Sequence, residues 1–226
     1  MSARADVRTV LALEWRRERR APQVLPTMLL FSVGAFVLYR FGLQDGSIDG
    51  PLAAGVLLVT TLLAALLGIG RLWTAEQDEG QLDAYRLTPA SPAALVLAKA
   101  LALWTFLLAL HAVALPLFAF LLLSSAPGAG ELAQVVLVLV LVDLGIAAVG
   151  AVVGAIAAAA RSRELLVPLL GVPLTIPAIA IASEAIGPLL RADPGVVDGR
   201  WWLALALYDL VFLLVGWAVS EGIVED

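Results

Sequence analysis

The sequence predicts an all-α integral membrane protein, with six transmembrane helices and an N-terminal amphipathic helix at the membrane interface. Three observations predict it. Of the 226 residues, 62% are apolar and only 15% are charged, where a soluble domain carries about 45–50% and about 25%. Apolar runs of about 20 residues recur along the chain, each long enough to cross about 30 Å of hydrocarbon. The basic residues crowd into alternate loops, as the positive-inside rule requires of a multi-pass protein.

Residues 1–21 come first. From Ala3 to Arg20, Val7, Val10, Leu11 and Trp15 fall on one side at helical spacing, with arginines around the rest. Such a helix lies in the headgroup layer, apolar face down, or serves simply as a basic flank. Both readings place it in the cytoplasm. No small-x-small cleavage site follows the first apolar run, so a cleaved signal peptide is not expected.

The spans are Val24 to Phe41, Pro51 to Gly70, Ala93 to Leu123, Leu132 to Ala160, Leu165 to Ile186, and Trp201 to Ser220. The third and fourth exceed what a bilayer needs, so they tilt, kink or project. With the N-terminus inside, the cytoplasmic side holds Arg4, Arg8, Arg16, Arg17, Arg19, Arg20, Arg71, Arg86, Lys99, Arg161 and Arg163. Of the 14 basic residues, the other face keeps only Arg40, Arg191 and Arg200. Both termini are therefore expected in the cytoplasm.

Several chemistries are excluded. There are no cysteines, hence no disulfides, iron–sulfur clusters or thiolate haem ligation. The single histidine, His111, rules out a multi-His metal site within one chain, and no metal is expected. No Gly-rich loop ends in Gly-Lys-Ser/Thr, so the chain has no P-loop of its own. No catalytic residues are assigned, and nothing points to nucleic acid.

The loop from Arg71 to Pro92 is the longest on the cytoplasmic side. Arg71-Leu72-Trp73 leads to Glu79-Gly80, then Leu82, Tyr85, Arg86 and Leu87, and Pro89 and Pro92 terminate any helix. Leu82 and Tyr85 share a face of a short helix, suited to a partner's groove; a solvated connector is the plainer reading. The fourth span carries Gly150 and Gly154, a small-xxx-small pattern that permits close helix contact, within one chain or in a homodimer. Pro168, Pro173 and Pro177 of the fifth span each remove a backbone donor and favour a kink. Residues 187–200 form a broken outer segment, and Trp201-Trp202 suit an interfacial anchor.

Three polar residues lie inside apolar helices: His111, Asp143 and Asp209. At a rise of about 1.5 Å per residue they lie roughly 18, 17 and 12 Å from the outer ends of their spans. An ionised carboxylate at that depth costs about 2.5–3.5 kcal/mol. A structural hydrogen-bond cluster accounts for them more simply than a substrate site or proton path, but both readings stand at this point.

With these residues laid out, the chain resembles the CcmB family, the membrane permeases of the haem exporter in cytochrome c maturation, within the type-2 ABC exporter permeases. The resemblance is strongest from Arg71-Leu72-Trp73 through Glu79-Gly80-x-Leu82, Leu87-x-Pro89 and Leu97-Ala98-Lys99. It returns at Pro173-Leu174-Thr175-Ile176-Pro177. It implies one permease domain over residues 1–226, non-enzymatic itself, in the cytoplasmic (inner) membrane. It implies a pair of cytoplasmic ATPase subunits docking on a coupling loop at 71–92, with ATP bound there. It further implies a haem-handling membrane subunit as partner, and ATP-dependent release of a haem-loaded chaperone. Haem then belongs to the assembled complex, and no cofactor to this chain. A type-2 permease for a drug, lipid or polysaccharide is the nearest alternative. An ion-coupled transporter using Asp143 and Asp209 is a more distant one, since the prolines of the fifth span have no counterpart in a second repeat.

Overall fold

A computed structural model describes residues 3–43, 46–73, 92–159 and 163–225. Among the described residues there are seven α-helices. They are α1 (Ala3–Arg20), α2 (Val24–Gly42), α3 (Gly50–Leu72), α4 (Pro92–Leu122), α5 (Ala129–Ala159), α6 (Arg163–Ile186) and α7 (Gly199–Glu225). A short 3-10 turn, Gly187–Leu190, follows α6. Helices α2 to α7 are each long and apolar enough to cross a membrane, so the chain is a multi-pass membrane protein. With six crossings, α1 and the C-terminal end of α7 lie at the same end of the bundle.

Burial sorts the spans. The most apolar stretches of α3 and α5 are 67% and 72% buried, against 22% for α2 and 28% for α6 and α7. The two inner helices reach that place differently. α3 presents Ala53, Ala54, Ala64, Ala65 and Gly68 to its neighbours, and α5 is built largely of valine, alanine and glycine. Small residues let helix backbones approach closely, which matters where lipid competes equally for apolar surface. The outer helices expose leucines instead, such as Leu30 and Leu38 on α2 and Leu203, Leu207, Leu210 and Leu214 on α7. In a bilayer these are lipid-facing positions.

The glycines of α5 have specific tenants. A Cβ on Gly150 would run into Ile69 and Leu103, and one on Gly154 into the indole of Trp73. A Cβ on Gly145 would lie 2.8 Å from the Tyr208 ring. The small-residue stripe thus serves packing within the chain, against α3, α4 and α7.

Helices α4 and α5 are 31 residues each, about 46 Å at the standard rise, and extend beyond the hydrocarbon layer. α6 runs unbroken through Pro168, Pro173 and Pro177. At the end away from the termini, Ile48 pairs with Leu123: Ile48 N donates to Leu122 O at 2.7 Å and Ser124 N to Ile48 O at 3.1 Å. The segment after α6 is the 3-10 turn, seated against Pro51 through Gly187, with Leu189 and Leu190 buried. Asp198 then accepts from Arg200 N at 3.0 Å to start α7. Trp201 and Trp202 are half-buried against the core, and the Arg200 guanidinium lies 4.5 Å from the Trp201 ring centroid.

α1 is more than a surface float. Leu11 and Trp15 pack on the core, and α1 lies along α4. The Trp15 ring meets Phe106 edge-on at 4.9 Å, and its Nε1 donates to Thr105 Oγ1 at 3.0 Å. Glu18 caps the next helix: its carboxylate accepts from the backbone N of Gln23, Val24 and Leu25 at 3.3, 3.1 and 2.8 Å. Pro26 follows without a donor. The carboxylate therefore covers the free N–H groups that open α2, at the end where the helix dipole favours negative charge.

Candidate functional site

Two buried polar clusters stand out, one at the end carrying the termini and one in mid-membrane. The first centres on Lys99, fully buried at 0% exposure. Its Nζ donates to Glu14 Oε1 at 3.0 Å and to the backbone carbonyl of Leu72 at 3.0 Å. The ammonium also lies 5.3 Å from the centroid of the Trp73 ring. Glu14, 6% exposed, in turn accepts from Arg17 Nη1 at 3.3 Å.

Each contact has a local reason. Leu72 closes α3, where the last carbonyls lack partners within the helix and a cation is favoured. Lys99 lies in the second turn of α4 and reaches that carbonyl. A buried ammonium needs a counter-charge, and Glu14 of α1 supplies it. Trp73, just past α3, lays its ring on Gly154 of α5 where no side chain intervenes. Four helices therefore meet at one node: α1 through Glu14, α3 through Leu72 and Trp73, α4 through Lys99, and α5 through Gly154.

Trp73 and Lys99 flank the segment read from the sequence as a coupling loop. Glu79, Gly80, Leu82, Tyr85, Leu87 and Pro89 lie outside the described residues. Arg71 is described: it sits exposed in the last turn of α3. The Lys99 ammonium, paired with Glu14, also bonds the Leu72 carbonyl and so joins the helices on either side of that segment.

The second cluster joins α3, α4 and α5 in mid-membrane. Thr61 Oγ1 lies 3.1 Å from His111 Nε2, and His111 Nδ1 lies 2.8 Å from Asp143 Oδ2. Thr61 also donates to Leu57 O at 2.9 Å. The imidazole thus bridges a hydroxyl on α3 and a carboxyl on α5, so that each of these buried polar side chains has a partner. Trp104 Nε1, donating to Val140 O at 3.0 Å, adds a second tie from α4 to α5.

Asp209 does not join this cluster. It lies on α7 against Gly145, 4% exposed, and neither carboxylate oxygen has a hydrogen-bond partner among the described residues. Its neighbour Tyr208 donates to Leu174 O of α6 at 2.7 Å. Of the three intramembrane residues singled out by sequence, two are brought together and one stands apart. Among the described residues, no group of three or more His, Cys, Asp or Glu is placed to hold a metal ion.

Sequence reasoning missed Glu14, Glu18 and Thr61. A signal was present for the first two. Leu11, Glu14, Trp15 and Glu18 recur at i, i+3, i+4 and i+7, one face of a helix, so two acids share the face that packs on the core. Thr61 gave none, since a threonine in an apolar helix ordinarily bonds to its own backbone four residues back.

Comparison with known proteins adds an independent line. Residues 5–222 match the family described as CcmB protein. The chain is 31% identical to Heme exporter protein B of Pseudomonas aeruginosa over 220 residues, covering 95% of this chain and 94% of that protein. It is 32% identical to Heme exporter protein B of Rhodobacter capsulatus over 181 residues, covering 80% of this chain and 82% of that one. The protein of the same name from Paracoccus denitrificans is 29% identical over 181 residues.

Proposed function

This chain belongs to the CcmB family, and on that premise we propose that it is the membrane permease subunit of a haem exporter acting in c-type cytochrome biogenesis. A separate cytoplasmic ATPase, present as a pair, hydrolyses ATP. This chain converts that event into movement of its helices, and the assembly releases a haem-loaded chaperone. A haem-handling membrane subunit completes the complex. The basic residues crowded at the end carrying the termini support an inner-membrane orientation with both termini in the cytoplasm. Haem is cargo, held mainly by the partner: an iron needs an axial ligand such as His, Met or Tyr, and His111 is already engaged on both ring nitrogens.

The observation that carries the coupling reading is the Lys99 node. A segment that receives force from an ATPase must be anchored at both ends to the helices it moves. Here Trp73 and Lys99 tie the two flanks of residues 74–91 to one another, to α1 and to α5. Substitution of Leu82 and Tyr85 by Asp should abolish co-purification of the ATPase while the permease remains in the membrane. Undiminished ATPase binding in the double variant would place the contact elsewhere. The same experiment tests the orientation, since only a cytoplasmic loop can meet that ATPase.

A further inference from the structure

A groove of about 680 Å³ opens at the end of the bundle that carries the termini, between α1, α4, α5 and α7. Its floor is Ala100, Ala148 and Ala151, all buried, and its rim includes Leu97 and Trp217, the latter 69% exposed. Leu97 and Trp217 lie near the ends of two apolar spans, the level at which acyl chains meet headgroups. The groove exists because α1 packs along α4 without closing on α7, and because Gly216 and the alanines leave no side chain to fill the gap.

The charge at its edge selects the occupant. Arg8 of α1 lines the groove, is exposed, and is paired with no carboxylate among the described residues. The rest of the lining carries no charge. An apolar slot of this polarity stays dry, and its volume suits a ligand, since binding pockets run to about 300–1,000 Å³. No His, Met, Cys or Tyr lines it, so a haem iron would find no axial ligand there. What matches is an amphiphile with a hydrocarbon tail and a single anionic head beside it.

We propose that this groove binds an anionic phospholipid, one acyl chain lying on Ala100, Ala148 and Ala151 and the phosphate paired with Arg8. The bound lipid fills the gap between α1 and α7 and completes the bundle where the chain itself does not. This goes beyond the exporter reading and does not depend on it.

Full-length chain released from nanodiscs of equal phosphatidylglycerol and phosphatidylcholine, and weighed intact by native mass spectrometry, tests the proposal. The wild type should retain one phosphatidylglycerol, preferred over phosphatidylcholine by about fivefold, the worth of roughly one basic residue near an anionic surface. Arg8→Gln should lose the preference and Arg8→Lys keep it. Ala93→Phe, placed at the half-buried mouth, should lose the retained lipid, and so should Leu97→Trp at the exposed rim. Equal retention of the two lipids by the wild type would overturn the proposal. So would an unchanged preference in Arg8→Gln, or a stoichiometric haem or a partner helix in place of the lipid.

Discussion

The two polar clusters solve the same problem, a charge-bearing group out of water, in opposite ways. The mid-membrane cluster links α3, α4 and α5 through side chains that all project from the middles of continuous helices. Each partner is held by turns of helix on both sides. The Lys99 node lies where helices end and begin. Its partners are a terminal carbonyl of α3, an indole just beyond that helix, and an acid on α1, which precedes the first span. The first arrangement resists relative motion of three spans. On the proposed coupling, the second joins the ends of α3 and α4 to α1 and α5, so that a force on one is passed to all four. Position along the helices, more than residue chemistry, separates a brace from a linkage.

Breaking the node should have the largest effect. Lys99→Ala leaves the buried Glu14 with only the longer contact to Arg17 at 3.3 Å and should cost about 3 kcal/mol, the lower end for a broken buried pair, read as thermal unfolding of the solubilised full chain. Lys99→Met combined with Glu14→Leu should recover most of that loss, because an apolar pair of similar volume fills the site without a stranded charge. A double variant no better than the single would show that the ion pair is not what Lys99 contributes. Because the linkage is gone in both, each should still bind the ATPase, while haem delivery falls out of step with ATP hydrolysis.

Gly154 should come next. Leucine there must displace the Trp73 ring, an overpacking cost of about 1–3 kcal/mol. Leucine at Gly34 of α2, where a Cβ meets nothing within 4 Å, is the matched control and should be within about 0.5 kcal/mol of wild type. Similar losses at the two glycines would mean that helix propensity, and not the indole's seat, sets the cost.

The smallest effect belongs to the brace. His111→Ala should destabilise by about 0.6–1.7 kcal/mol, the measured worth of hydrogen bonds between membrane helices. Haem content of the assembled complex should stay unchanged, because the ring braces helices and does not ligate iron. Stoichiometric haem in the purified chain, lost specifically in this variant, would turn the brace into a ligand and remove the distinction between the two clusters.

The number, order and approximate limits of the spans were legible in the sequence. A bilayer leaves a chain few options: backbone polar groups must be satisfied within each segment, so a run of about 20 apolar residues becomes a helix. The length excess of the third and fourth spans was legible for the same reason, and α4 and α5 do run to 31 residues. The sites were half legible. His111, Asp143 and Asp209 announced themselves because polar residues are rare in such helices. Their depth along the axis followed from the rise per residue, and the flanks of the loop at Arg71, Trp73 and Lys99 came from the resemblance.

What the sequence could not supply was lateral neighbourhood. Periodicity fixes which residues share a face of one helix, yet says nothing of which helix that face meets. Asp143 and Asp209 look alike in sequence, each an acid among leucines and valines. Packing sets one against His111 and leaves the other with no hydrogen-bond partner among the described residues. Lys99 and Glu14 stand 85 residues apart, and only the fold brings them to 3.0 Å. The physical reason is that apolar surface costs the same against lipid as against protein. The spans are therefore set one at a time by the bilayer, while their arrangement rests on a few small residues and buried polar contacts that exist only once the helices have met.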